Sequence, residues 1–353
     1  MKIEKIDPNF KKKEFSLAEA SRCYNIPCQG FDLYGVSYDA ELHKFTRMDK
    51  DVAKNVSNGV YALFANTSGG RLRFATDSSF VGISVSLPWL AQMSHMPLTG
   101  SSGFALLEKI GNSYATVSVF RPETDEKSGF TGKVEFAEKK RREFVLFFPL
   151  YNDVSELKIY LDPTSEIFEP EKYRNLPPIL YYGASIDQGG CASRPDCSYT
   201  AMLSKWNDID FINLGFSGNC MGEQIMAEYL AKIDCSLFFM AYDGNAPSLE
   251  YLEKTHYPFY EAYRKVKKDV PIVFMSVPCF ENYPNARQSR DLIKGSYEKA
   301  CRSGDKNVYF LDGETLFGEN DREICTVEGI HPNDLGFYRI AQKIHSLFEE
   351  IGL

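Results

Sequence analysis

Two textures divide this chain. In the first half, apolar positions recur at every second residue in short runs. Val81, Ile83, Val85 and Leu87 alternate with Gly82, Ser84 and Ser86, the pattern of a strand with one buried face. Arg71-Leu72-Arg73-Phe74-Ala75 alternates likewise, and Asp77-Ser78-Ser79 supplies the turn between the two runs. Further strands are expected at 114–120, 133–137, 143–148 and 157–161. No long amphipathic helix interrupts them. Short strands with turn signals between them predict an antiparallel β-sandwich of jelly-roll type.

The second texture begins near residue 178. Ile179-Leu180-Tyr181-Tyr182 is a continuous apolar run, as in a strand buried on both faces. Tyr199, Met202, Leu203 and Trp206 then mark one face of a helix. Strands at 211–214, 237–240, 272–275 and 308–310 alternate with helical faces carried by Ile225 and Met226, by Phe259 and Tyr263, and by Ile293 and Tyr297. Phe337, Ile340, Ala341, Ile344, Leu347 and Phe348 close the chain as a last helix. Repeated β-α units predict an α/β domain, a three-layer sandwich around a mainly parallel sheet. Between the textures, 162–178 holds four prolines and weak periodicity. The expected division is a β-sandwich domain at 1–165, a linker at 166–178 and the α/β domain at 179–353.

Composition narrows the partners. A net charge of −8 over 353 residues and a pI near 5.4 argue against nucleic acid. No apolar run is long enough to span a membrane. Residues 1–20 are charged and carry no apolar leader core, which predicts a cytoplasmic protein. The nine cysteines are then expected as reduced thiols. Cys191 and Cys197 bracket one loop, but no second Cys/His pair stands at zinc-ligand spacing. Whether the protein forms a homo-oligomer stays open.

In a parallel sheet the loops after successive strands share one rim. That rim carries Ser185, then Ser217-Gly218-Asn219, then Asp243-Gly244-Asn245, then Pro278-Cys279. A loop before the last helix carries Glu328-Gly329-Ile330-His331-Pro332. A hydroxyl, glycine amides, a side-chain amide and a histidine are the parts of an acyl-transfer site: nucleophile, base and oxyanion donors.

These segments resemble the conserved blocks of the SGNH (GDSL-like) hydrolases. Gly183-Ala184-Ser185-Ile186 is similar to the first block, with alanine where many members carry aspartate or serine. Asn213 to Asn219 resembles the second, Asp243-Gly244-Asn245-Ala246-Pro247 the third, and Gly329-Ile330-His331-Pro332-Asn333 the fifth, all in the family's order. The N-terminal β region is similar to the sandwich domain fused to one branch of these enzymes. The resemblance implies Ser185 as nucleophile and His331 as general base. It implies an oxyanion hole made of the Ser185 and Gly218 amides and the Asn245 side chain. Glu328 stands three residues before the histidine, where the family usually has aspartate. A Ser-His-Glu triad and a Ser-His dyad oriented by a backbone carbonyl both remain open.

Around this centre, Asp187, Tyr242, Asp243, Trp89 and His95 are candidate substrate contacts. Asp187 has a rival reading as a solvent-facing carboxylate, Asp243 as a cap, and Trp89 as a core residue. His95 lies in an irregular stretch, 89–97, that is expected to reach over the Ser185 cleft. His43, His256 and His345 are expected at the surface. The two-domain resemblance implies an esterase that removes O-acetyl groups from carbohydrates, with no metal or organic cofactor. A lysophospholipase or thioesterase acting on longer chains, and a non-catalytic carbohydrate-binding protein, are the alternatives.

Overall fold

The computed structural model describes residues 6–7, 21–278 and 281–353. The expectations for the leader region, Ile6 and Asp7 apart, and for Cys279 fall outside these residues. In chain order the first part comprises β1 (Arg22–Ile26), β2 (Asp32–Tyr34), β3 (Ser37–Asp39), β4 (Lys44–Thr46), α1 (Lys50–Val56) and α2 (Asn58–Leu63). It continues with β5 (Arg71–Thr76), β6 (Phe80–Ser86), α3 (Leu98–Ser101), β7 (Phe104–Ile110), β8 (Ser113–Phe120), β9 (Gly129–Glu135), β10 (Arg142–Phe147), β11 (Glu156–Leu161) and β12 (Ile167–Phe168).

Two antiparallel sheets face each other. One has the order β1-β11-β6-β9; the other runs β12-β5-β10-β7-β8, with β2 also on β5. Leu72, Phe74, Phe104, Leu106, Phe144 and Leu146 point from the second sheet towards Val81, Ile83 and Val85 of the first. The proline-bearing segment expected to be a linker opens with β12, which pairs Ile167 with Thr76. The strand expected at 133–137 starts earlier, at Gly129, because β9 pairs with β6 from Ser86 to Phe80. The short helices α1 and α2 were not anticipated. Asp49 caps the first by accepting from Asp51 and Val52 amides, and Ser57 caps the second.

The second part is β13 (Ile179–Gly183), α4 (Ser185–Gln188), α5 (Tyr199–Asn207), β14 (Phe211–Gly215), α6 (Gln224–Leu230) and β15 (Leu237–Ala241). Then come α7 (Leu249–Val266), β16 (Ile272–Met275), α8 (Ala286–Arg302), β17 (Val308–Leu311) and α9 (Asp334–Ile351). The five strands are parallel in the order β14-β13-β15-β16-β17. This is the doubly wound flavodoxin-like order, whose switch point lies between β13 and β15. Tyr181 and Phe239 face α5 and α9 on one side; Tyr182, Phe238 and Met240 face α6 and α7 on the other. No helix among the described residues is long and apolar enough to cross a membrane.

The two parts share their cores. Ala105, Leu107, Val145 and Phe147, on the outer face of the β5-β10-β7 sheet, cluster with Tyr199, Met202 and Phe211 of the α/β part. Arg71 and Arg73 lie on that face too, 0% and 2% exposed. Their polarity resembles a solvated strand face, yet they meet a second domain. β14 is an edge strand, so its outward carbonyls need donors. Arg71 donates to Phe211 O at 3.1 Å and to Asp210, with its guanidinium over the Phe211 ring. Arg47 donates to Asn213 O at 3.1 Å and Gly215 O at 2.8 Å. Two guanidinium groups thus take the alternate carbonyls at 211, 213 and 215. Burial pulls Arg47 down to about 9, against the opposing pull of Asp153.

His256, expected at the surface, is instead buried on α7 between Tyr242 and Phe274. Burial alone lowers it to about 3. His43 is exposed, and His345 is half-buried beside Trp206.

Two outcomes follow from this packing. Arg71→Met strands the Phe211 carbonyl and the Asp210 carboxylate, so urea unfolding should show a loss of about 3–5 kcal/mol; a change within about 0.5 kcal/mol would mean the contact is solvent-like. His256 is neutral when folded and binds a proton below about pH 6.5 when unfolded, so its burial costs stability as pH falls from there towards 3. Between about pH 7.5 and about pH 4.5, His256→Phe should therefore lose about 2–3 kcal/mol less stability than the wild type.

Candidate active site

Ser185 is the first residue of α4, directly beyond the carboxyl end of β13 at the switch point. The turn that presents it is fixed by Asp187, whose Oδ2 accepts the Ala184 amide at 2.8 Å. The other oxygen accepts the Tyr199 hydroxyl at 2.6 Å. A side chain on Gly183 would put its Cβ 2.1 Å from Asp187 Oδ2, so glycine is required there. Asp187 is buried and its oxygens are engaged. It neither faces solvent nor is free to bind a substrate hydroxyl, and both expectations are corrected. Burial pushes it up to about 6, against the opposing hydrogen bonds from Tyr199 and Ala184.

The structure brings Ser185, His331 and Glu328 into one hydrogen-bonded line. Ser185 Oγ lies 2.9 Å from His331 Nε2, and His331 Nδ1 lies 2.9 Å from Glu328 Oε1. The same carboxylate oxygen accepts the His331 backbone amide at 2.7 Å. Glu328 is thus pinned to its own loop, and the extra methylene of glutamate does not loosen it. Desolvation raises the Glu328 carboxyl, but the hydrogen bonds from the His331 backbone and ring outweigh it and leave the group below its ordinary range. A carboxylate on Nδ1 keeps the proton there, so Nε2 is the acceptor that faces the hydroxyl. Such an arrangement can take the serine proton as the oxygen attacks an acyl carbon.

Gly218 follows β14 with φ +69°, and a Cβ there would touch nothing within 4 Å. The amide before it, Ser217 N–H, donates to Gln188 Oε1 at 2.9 Å. Gln188 is held in turn by donating to Asn66 Oδ1 and Leu150 O, both at 3.1 Å. Asn213 ties the same region together, donating to Asp187 O at 2.6 Å and accepting from Gly215 N at 2.9 Å. Gln188 and Asn213 are the supporting residues that sequence reasoning missed. Gln188's partner Asn66 is 122 positions away, so no local pattern marks it. Asn245 follows β15, and its buried side-chain Oδ1 has no partner among the described residues.

Two other expected contacts lie elsewhere. Tyr242 is buried, stacked on His256 and hydrogen-bonded to Thr255 Oγ1 at 2.9 Å, so it packs the core. Asp243 is buried and accepts the Val277 amide at 3.1 Å on Oδ2, so that oxygen holds the fold. Burial pushes it up to about 7.

The stretch at 89–97 does reach the site. His95 stands in the turn between Met93 and Met96, with its ring 5.6 Å from that of His331. Trp89, weighed as a core residue, is 43% exposed. Asn152 anchors the stretch by bonding Trp89 O and the Ala91 amide. Cys191 and Cys197 are free thiols. Burial pushes Cys191 up to about 12, so it is no rival nucleophile at neutral pH.

Comparison with known proteins identifies the family and the fold. Residues 177–349 match the model of the GDSL-like lipase/acylhydrolase family. Residues 22–167 match the GxDLY model, the N-terminus of SGNH-hydrolase-type esterases. No curated protein matches the sequence. Among solved structures, a protein assigned as a GDSL-like lipase from Bacteroides ovatus ATCC 8483 superposes with a TM-score of 0.84 at 27% identity, covering 94% of this chain and 98% of that one. A salicylyl-acyltransferase from a tetracycline biosynthetic pathway gives 0.76 at 18% identity, with 95% and 99% covered. A family two carbohydrate esterase from Clostridium thermocellum in complex with cellohexaose gives 0.64 at 14%, with 92% and 99% covered. The last two share the fold across both parts of the chain. The chain belongs to the GDSL-like lipase/acylhydrolase family, in the form that carries an esterase-type β-rich domain ahead of the α/β domain.

Proposed function

We propose that the protein is a serine esterase that removes small acyl groups, acetyl above all, from carbohydrate hydroxyls. The observation that carries the chemistry is the line Ser185 Oγ, His331 Nε2, His331 Nδ1, Glu328 Oε1, with both contacts at 2.9 Å. Ser185 attacks the ester carbonyl while His331 takes its proton. The oxyanion is received by the Ser185 and Gly218 amides and the Asn245 side chain. His331 then protonates the departing sugar oxygen. Water, activated by the same histidine, releases the acid from the acyl-enzyme.

The substrate reading rests on how open the centre is. The His331 side chain is 22% exposed and that of Glu328 37%. A buried Ser185 whose histidine and carboxylate partners reach solvent suits a bulky, hydrated alcohol with a short acyl group better than a long chain that must leave water. Trp89 offers an exposed aromatic face on the same stretch as His95, suited to stacking on a sugar ring. The family two carbohydrate esterase above, which shares this fold, is recorded with a cello-oligosaccharide. We further propose that the division at 1–165, 166–178 and 179–353 is functional, the first part supplying Trp89 and His95 to the cleft of the last.

Hydrolysis of p-nitrophenyl acetate and octanoate tests both halves of the reading. Acetate should be preferred, Ser185→Ala and His331→Ala should each lose about 10²–10⁴ in kcat or more, and Asn245→Ala about 10²–10³. A preference rising from acetate to octanoate would favour the long-chain alternative. No turnover above the Ser185→Ala background would favour sugar binding alone.

Glu328→Gln separates triad from dyad. Glutamine can present its amide to Nδ1 and favour the wrong tautomer, so kcat should fall by about 10²–10⁴ with little change in KM. A kcat within a few-fold of wild type would show that the carboxylate is dispensable.

A further inference from the structure

Three segments that are far apart in sequence place metal-binding atoms around the site. His95 comes from the sandwich loop, Cys191 from the turn after α4, and His331 from the loop before α9. One ligand atom of each lies within 4.8 Å of the other two. We infer that His95, Cys191 and His331 form a binding site for one zinc-class cation, and that a bound cation switches the esterase off reversibly.

The cluster is held by the fold. The Cys191 amide donates to Pro332 O at 3.1 Å, next to His331 in the chain. Ser193, two residues on, donates its amide to Asp334 Oδ1 at 2.8 Å at the start of α9. Thr99 Oγ1 donates to Ser193 O at 2.6 Å and joins the sandwich to the same turn. Ala91 and Met96, on either side of His95, are buried in the shared core. Rigid backbones thus carry all three side chains.

The donor set selects the ion. Two imidazoles and a thiolate suit zinc and its neighbours, whereas magnesium and calcium prefer oxygen ligands. Tetrahedral zinc, with bonds of about 2.0–2.1 Å to nitrogen and about 2.3 Å to sulfur, needs these atoms somewhat closer together. Side-chain rotation of His95, which is exposed, supplies the difference. Three protein ligands leave a fourth position for water. Binding displaces the Cys191 thiol proton to solvent and forms one metal–sulfur and two metal–nitrogen bonds, with no change of oxidation state.

Inhibition follows from the electron count of imidazole. A neutral ring has one acceptor lone pair. If the metal holds that pair, His331 cannot accept the Ser185 proton, whichever nitrogen is ligated. Metal binding and proton transfer exclude each other, so the cation acts as a blocker and supplies no step of the reaction.

The inhibition part rests on the esterase reading, but metal binding does not, and the test keeps them apart. Cobalt(II) titrated into the reduced wild type and into Ser185→Ala should give a cobalt–thiolate charge-transfer band that saturates at one equivalent. Cys191→Ala should abolish the band, and His95→Ala should weaken cobalt binding at least about tenfold. Zinc at micromolar concentration should suppress ester hydrolysis, EDTA should restore it, and magnesium should have no effect. In Cys191→Ala and His95→Ala, each measured against its own metal-free rate, the zinc concentration for half-inhibition should rise at least about tenfold. A missing thiolate band, unchanged zinc sensitivity in both variants, or activation by zinc would overturn the inference. If wild type shows the band yet hydrolyses no ester, the metal site stands and the esterase reading falls.

Discussion

The edge strand β14 is the constraint on which the rest of the molecule depends. Its far side pairs with β13, but its near side presents the carbonyls of Phe211, Asn213 and Gly215 with no strand among the described residues to receive them. An open edge of this kind invites pairing with another chain. Here Arg71 and Arg47, reaching from the β-rich domain, donate to all three. The guanidinium groups lie over Phe211 and Phe216, so the charge is offset by aromatic faces as well as by carbonyl dipoles. The two domains therefore share hydrogen bonds and an apolar core.

That sharing extends into the chemistry. β14 runs directly into Ser217 and Gly218, and Asn66, from the other domain, fixes Gln188 against the Ser217 amide. Asp187, Tyr199 and Asn213 fix the turn that carries Ser185. Glu328 is bound to the loop of the histidine that it orients. The turn carrying Ser185 is thus held by buried bonds and the His331–Glu328 pair by more exposed ones within its own loop, and dipoles fixed in advance in this way can lower a barrier without reorganising. Asp187 and Asp243, both desolvated, belong to this support and not to the reacting set.

Much of this was legible in the sequence, for local reasons. The buried strands at 179, 211, 237, 272 and 308 are continuous apolar runs, and the helices between them keep a 3.6-residue period, so the α/β order is written residue by residue. Ser185, Glu328 and His331 were singled out through short blocks in a fixed order, and the structure brings the three side chains together. What failed to show depends on distant partners. Alternation at Arg71 and Arg73 looks the same whether the polar face meets water or a second domain. The surface expected for His256 failed because a helical histidine says nothing about which helix face is covered. Asp187 was misplaced because only the fold reveals Tyr199 against it. The helices α1 and α2 are too short for periodicity, and only the capping residues Asp49 and Ser57 could have announced them.

The central claim is that the fold makes one hydroxyl, that of Ser185, into a nucleophile through His331. Labelling with a fluorophosphonate, followed by intact-protein and peptide mass spectrometry, tests it without reference to any natural substrate. The account predicts a single adduct on the peptide containing Ser185, formed in the wild type and lost in His331→Ala. An adduct on another serine, or labelling of Ser185 at the same rate in His331→Ala, would contradict it.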